Sequence, residues 1–244
     1  MGKVITFWSP VFSSGVTTTA ITLGNKLSKK YNVCLLDFDL NSPDISLFLN
    51  IDDVEHNIDN LFPYIEGNNL SAEVFNLNTN KINNNFFILQ GTKRIDKGCS
   101  FKTENLEPII DMAQSIFDFV LINTNSVIDN AGTYLALKKA NKTLIILNQN
   151  ILSFKKYINK MQIAKPFLNN VIAIINKYNK HLNLSLEGIK NNLNMDVYPL
   201  SLVNENLVIN DINNQFSFIE IFTGKKTRKY QKDLEKIISV IEEG

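Results

Sequence analysis

The feature that most constrains this chain is a rhythm: short, nearly continuous apolar runs alternate with segments of helical period from one end to the other. Runs at 4–8, 33–36, 86–89, 119–122, 143–147, 171–175 and 197–200 are apolar at almost every position. Half-buried strands alternate apolar and polar residues, whereas parallel strands covered on both faces are apolar throughout. Between the runs, residues 18–30, 104–115, 131–139, 152–164 and 184–194 carry apolar side chains at helical spacing. Repeated strand–helix–strand units predict an α/β fold, a doubly wound, mostly parallel sheet with right-handed crossovers and helices on both faces. Only 50–85 breaks the rhythm. It is polar and rich in asparagine, and is expected to be an insertion of short helices and loops in one domain spanning 1–244.

Composition narrows the setting. Hydrophobic residues make up 44% and charged residues 20%, enough for a full core and ordinary for a globular domain. A net charge of +1 gives no global attraction to nucleic acid or anionic lipid, so any such contact has to come from a local patch. Two cysteines, Cys34 and Cys99, define no disulfide framework, and Cys34 lies in an apolar run where a buried thiol is expected. His56 and His181 stand apart from each other and from the cysteines. The opening residues hold too short an apolar run for a signal peptide, and nothing approaches the roughly 20 apolar residues of a membrane span. A cytoplasmic protein is expected, peripheral to a membrane only through partners.

Ligands of open α/β sheets bind beyond the carboxyl ends of the strands. The first such end here is Ser9-Pro10-Val11-Phe12-Ser13-Ser14-Gly15-Val16-Thr17-Thr18-Thr19-Ala20, and a helix follows directly. A phosphate loop in this place needs inward-turned amides, a helix N-terminus, a lysine and a hydroxyl for magnesium. Gly15 and the threonines fit, and the lysine is absent. The same threonines also make a good helix start with no ligand at all.

This stretch resembles the deviant P-loop of the MinD/ParA ATPases, a P-loop NTPase-like fold family, in which it reads roughly KGGxGKTTTA. Aligned on Thr17-Thr18-Thr19-Ala20, the loop lysine falls on Val16, the family's signature lysine on Val11, and its leading glycines on Phe12 and Ser13. The resemblance implies a nucleotide site made by Ser14, Gly15, Val16, Thr17 and Thr18, with Thr17 as the magnesium hydroxyl and Thr18 as a phosphate contact. Further on, Leu35-Leu36-Asp37-Phe38-Asp39-Leu40 resembles the family's second motif. It implies that Asp39 orients the attacking water and that Asp37 lies near the metal, although both could simply cap the next turn. Asp118-Phe119-Val120-Leu121-Ile122-Asn123-Thr124 resembles the Walker B strand, with Asn123 where the magnesium-associated aspartate belongs. Ile174-Ile175-Asn176-Lys177 resembles the strand end whose asparagine reads adenine, so Asn176 is the implied base contact.

Phosphoryl transfer depends on positioning and on neutralising charge at the phosphate oxygens. Loss of one preorganised donor costs about 2.7–4 kcal/mol, a hundred- to a thousandfold in rate. With Val16 and Val11 in place of both lysines, and Asn123 in place of the aspartate, hydrolysis at a useful rate is not expected. Lys93, Arg94 and Lys97, which follow the run at 86–89, are the basic residues considered as substitutes. ATP and magnesium are the ligands the resemblance implies, bound without turnover.

The densest basic cluster, Lys225, Lys226, Arg228 and Lys229, precedes a stripe of Tyr230, Leu234, Ile237, Ile238 and Ile241 at helical spacing. That stripe is expected to pack on the sheet, because a membrane-surface helix separates a basic face from a bulky apolar one. Family members dimerise around ATP to position a pilus, flagellum, division site or plasmid. Relatives of the CpaE/TadZ branch also lose the loop lysine, so the resemblance implies a localisation or scaffolding factor. Its expected partners are proteins of a secretion, pilus, conjugation or partitioning apparatus, and a second copy of itself across the nucleotide face. Two alternatives stay open: a residual partitioning ATPase using the basic cluster on DNA or anionic membrane, and a nucleotide-free structural module.

Overall fold

The computed structural model describes residues 1–51, 55–94, 100–203 and 218–243. Eight strands form a single sheet, in chain order β1 (Lys3–Trp8), β2 (Val33–Phe38), β3 (Asn80–Asn83), β4 (Phe86–Leu89), β5 (Phe119–Thr124), β6 (Lys142–Asn148), β7 (Val171–Tyr178) and β8 (Val197–Ser201). Across the sheet they run β3-β4-β2-β5-β1-β6-β7-β8, all parallel except the β3–β4 pair. The described helices of the first half are α1 (Val16–Leu27), α2 (Ile45–Leu49), α3 (Phe62–Glu66), α4 (Ala72–Leu77) and α5 (Thr103–Ile116). Those of the second half are α6 (Ala131–Lys139), α7 (Ile151–Ala164), α8 (Leu186–Leu193), α9 (Phe218–Thr223) and α10 (Arg228–Glu243).

The continuous apolar runs are explained by burial on both faces. Along β2, Val33 and Leu35 join one core layer while Cys34 and Leu36 join the other. The first layer is closed by α1, α9 and α10, and the second by α3 to α6, with α7 and α8 extending it past β1. Burial pushes the Cys34 thiol far up, so it remains an inert core group.

The C-terminal stripe packs as its spacing predicts. Tyr230, Leu234, Ile237, Ile238 and Ile241 are all buried against α1 and the sheet. Tyr230 Oη and Thr22 Oγ1 share a 2.8 Å hydrogen bond, and buried Asp233 accepts from the Ser201 amide at 3.0 Å and from its hydroxyl. The 50–85 segment contains the expected short helices and one element the sequence does not announce. Asn80–Asn83 forms β3, the antiparallel edge, where Lys81 and Asn83 face outward and suit an exposed flank. No described helix is long and apolar enough to cross a membrane.

Candidate functional site

The carboxyl ends of β1, β2, β5 and β7 make the site. After β1 the chain turns through Ser13, at φ 57°, and Gly15, at φ 89°, before entering α1. Ser9 Oγ donates to Ser14 Oγ at 2.9 Å, Ser14 Oγ donates to the Val11 carbonyl at 2.7 Å, and the Val11 amide donates back to Ser9 Oγ at 3.1 Å. Asn176, from the end of β7, braces the loop from the other side. Its Nδ2 donates to the Ser14 carbonyl at 2.7 Å, and its Oδ1 accepts from the Lys177 amide at 2.9 Å. A side chain at position 15 would put Cβ 2.2 Å from Asn176 Nδ2, so glycine is required by space as well as by its backbone angle.

The loop leaves the start of α1 open. Gly15 occupies the cap position and no side chain caps the helix. Inside the helix, Thr19 Oγ1 donates to the Gly15 carbonyl at 2.7 Å and Thr22 Oγ1 to the Thr18 carbonyl at 2.8 Å. The first intrahelical bond runs from the Thr19 amide to Gly15, so the amides of the opening turn face outward with the positive end of the helix dipole behind them.

Below the helix start, β2 and β5 pair in register with Asp37 beside Asn123. Asn123 bridges two groups: its Nδ2 donates to Asp37 Oδ1 at 3.0 Å and its Oδ1 lies 3.4 Å from Thr17 Oγ1. The Thr17 hydroxyl is closer to Asp44 Oδ1, at 3.1 Å. Asp37 also accepts from the amides of Ile45 at 3.2 Å and Asp39 at 3.3 Å. It is 2% exposed, and burial pushes its carboxyl up to about 7, helped by Asp44 and Asp39 and opposed by the Asn123 amide. Asp39 accepts from Asn125 Nδ2 at 2.7 Å and the Ser42 amide at 3.1 Å. Burial raises Asp39 and Asp44 as well.

These residues open on a cleft of about 580 Å³ lined by the loop, Asp39, Asp44, Asn125, Ser126 and Asn176, with Phe218, Phe222 and Tyr230 as an apolar wall. The structure therefore brings Ser14, Gly15, Val16, Thr17, Thr18, Asp39 and Asn176 to one cleft, with Asp37 buried directly beneath Thr17's partners. Lys93 and Arg94 do not line it. Lys93 Nζ donates to Gln90, and Arg94 pairs with Asp59 at 3.4 Å and lies over the Phe62 and Phe101 rings. Lys97 falls outside the described residues. Sequence reasoning passed over Asp44, which meets Thr17, and Asn125, which holds Asp39; only their closeness to the two aspartates could have signalled them.

A phosphate suits the uncapped helix start, and magnesium suits the oxygen donors Thr17 and Asp44 that line the cleft, with Asp37 buried behind them. Among the described residues no three His, Cys, Asp or Glu side chains form a metal cage by themselves.

Fold and cleft together define an α/β domain with a cleft at the carboxyl edge of its sheet and a turn from the first strand into an uncapped helix. Residues 12–215 match the CobQ/CobB/MinD/ParA nucleotide-binding domain family, and the chain belongs to it. The cell division ATPase MinD of Pyrococcus furiosus superposes with a TM-score of 0.78 at 16% identity, over 98% of this chain and 100% of that one. The septum site-determining protein MinD of Pyrococcus horikoshii, solved with Mg-ADP, gives 0.75 at 19% identity over 98% and 96%. A ParA family ATPase of Chlorobium tepidum gives 0.82 at 14% identity over 96% of each chain. Sequence comparison with curated proteins finds no match.

Proposed function

We propose that this protein is a localisation or scaffolding factor that keeps the MinD/ParA domain as a binding module and has given up turnover. One observation carries the reading: the loop itself offers amides and a helix dipole to a phosphate but no cation, since Val16 and Val11 stand where the two lysines would be and Lys177, which lines the cleft, comes from the end of β7. The groups that remain are held within the chain. Asp39, the implied water-orienting carboxylate, is bonded to Asn125 and Ser42, and the Thr17 hydroxyl to Asp44. Two missing phosphate donors remove about 5–8 kcal/mol of transition-state stabilisation if they act independently. Binding survives such a loss better than catalysis, because ground-state contacts to the amides and to magnesium remain.

The ligand class is magnesium with an adenine nucleotide, as in the Pyrococcus horikoshii protein solved with Mg-ADP. Thr17 and Asp44 would hold the ion, with Asp37 buried behind them, and the amides of Gly15 to Thr18 the phosphates. The partners proposed are proteins of a secretion, pilus, conjugation or partitioning apparatus, met inside the cell. One surface favours acidic protein partners. From 130 to 186 the chain has nine lysines and neither Asp nor Glu. Within that stretch α7 exposes Ile151, Leu152, Lys155, Lys156, Ile158 and Ile163 together. A second reading, DNA or anionic membrane held by Lys225, Lys226, Arg228 and Lys229, is favoured only by the exposure of those four side chains.

Calorimetric titration with ATP and magnesium tests the proposal, with Thr17→Ala as control. Saturable binding that the substitution weakens at least tenfold supports it. No heat at millimolar ATP would leave a nucleotide-free module.

A further inference from the structure

The carboxyl end of β7 departs from regular strand geometry beside the cleft. Along β7, Ala173 and Ile175 face the core layer that α7 and α8 cover. Regular alternation would send residue 177 into the same layer. The pairing with β8 prevents it: Ile175 stands opposite Pro199 and Tyr178 opposite Ser201, three steps along β7 against two along β8. One residue is therefore extra, a β-bulge of the kind that re-aims a side chain next to a site. Tyr178 packs on the layer in its stead, and Lys177 leaves the alternation at φ 54° and lines the cleft.

A left-handed backbone angle is costly for any residue but glycine, so a lysine kept there points to a use for its side chain. β7 lies two strands from β1, about 10 Å across the sheet. Asn176 closes that gap through its bond to the Ser14 carbonyl, which sets the next residue beside the loop. Among the described residues that line the cleft, Lys177 is the one cation, against the carboxylates of Asp39 and Asp44. Phosphates bound on the loop would add negative charge that the loop meets with amides and a helix dipole only. The cleft also contains Ser126 Oγ, on a residue 5% exposed, with no hydrogen-bond partner among the described residues. A buried polar atom of that kind calls for a ligand or an ordered water.

We infer that Lys177 is the cation of this site, pairing through Nζ with a phosphate of the ligand held on the loop amides. The inference rests on the nucleotide-binding reading of the cleft and names a residue that sets its affinity. β2 and β7 lie on opposite sides of β1, so Lys177 approaches the loop from the side away from Asp39. Lys177 is thereby a binding group, placed apart from the carboxylate that would orient water.

Titration with ATP and magnesium tests this on the wild type, Lys177→Met, Lys177→Arg and Lys177→Gly. Lys177→Met keeps the length of the side chain and removes its charge. It should raise the ATP dissociation constant at least about tenfold, the worth of one charge-assisted contact. Lys177→Arg should recover at least half of that loss on a logarithmic scale, and wild-type affinity should fall more steeply with added salt than that of Lys177→Met. Lys177→Gly should bind as weakly as Lys177→Met while melting close to the wild type, since relief of the left-handed angle offsets the entropy of a freer chain. A smaller loss in Lys177→Met, no recovery in Lys177→Arg, or equal salt dependence in wild type and Lys177→Met overturns the inference. Should Lys177→Met lose its fold by circular dichroism, Lys177→Gly takes its place in each comparison. A wild type that binds ATP no more tightly than Lys177→Met leaves the nucleotide site standing and removes Lys177 from it. A wild type that binds no ATP removes the site and this inference with it.

Discussion

Asp37 should make this protein less stable as pH rises from 4 to 7, against the usual direction for a carboxylate. Its side chain is fully enclosed between Asn123, the Ile45 and Asp39 amides and the carboxylates of Asp44 and Asp39. Burial pushes its carboxyl up to about 7, against about 3.9 in the unfolded chain. The folded state then holds the proton more tightly than the unfolded state, so the native contribution is complete below pH 4 and is lost as pH climbs to 7. Three pH units at 1.36 kcal/mol each make this on the order of 4 kcal/mol. Asp37→Asn removes the titration at the cost of one accepted hydrogen bond, a loss that does not depend on pH. Urea unfolding of both proteins at several pH values between 4.5 and 7.5 isolates it, since all shared ionisations cancel in the difference. The wild type should lose about 1.4 kcal/mol per pH unit relative to the variant up to pH 7 and run level above it. Parallel profiles across that range would refute the burial argument, and with it the view that β2 delivers an uncompensated carboxyl to the site.

Three further outcomes are expected. Gly15→Ala forces a left-handed angle on alanine and pushes Asn176 off the Ser14 carbonyl. It should cost about 2–3 kcal/mol in thermal unfolding and abolish nucleotide binding by titration. Asn123→Asp sets a carboxylate against Asp37 and removes its 3.0 Å donor. The variant should lose about 1–3 kcal/mol at pH 8 by urea unfolding and recover part of it in millimolar magnesium. Tyr230→Phe deletes the buried bond to Thr22, whose hydroxyl still reaches the Thr18 and Thr19 carbonyls, so a loss near 1 kcal/mol in urea unfolding is expected.

Seven of the eight strands were legible because each is buried on both faces and shows as an unbroken apolar run. β3 was not, because Asn80-Lys81-Ile82-Asn83 is a polar edge whose pairing depends on the turn to β4, a tertiary fact. Most helix starts differ by a residue or two from those the spacing predicts. α1 begins at Val16 because Gly15, and no threonine, takes the cap. Within the site, motif order placed the loop, Asp37, Asp39, Asn123 and Asn176 in one region. Motif order gave no access to the hydrogen bonds among them, since Asn125 reaches Asp39 and Asp44 reaches Thr17 across chain separations that no local pattern encodes. The uncapped state of α1 was equally hidden, because motif order does not show that a glycine, with no side chain to cap, takes the position before the helix.

The most direct test of a retained cradle without turnover is phosphate release under saturating ATP and magnesium. It should be measured on the wild type and on the chain carrying Val11→Lys, Val16→Lys and Asn123→Asp together. No release above background in the wild type, with measurable release in the triple variant, is the predicted result. Equal release from both would contradict the account, because a cation from elsewhere in the chain would then be doing the work assigned to the missing lysines.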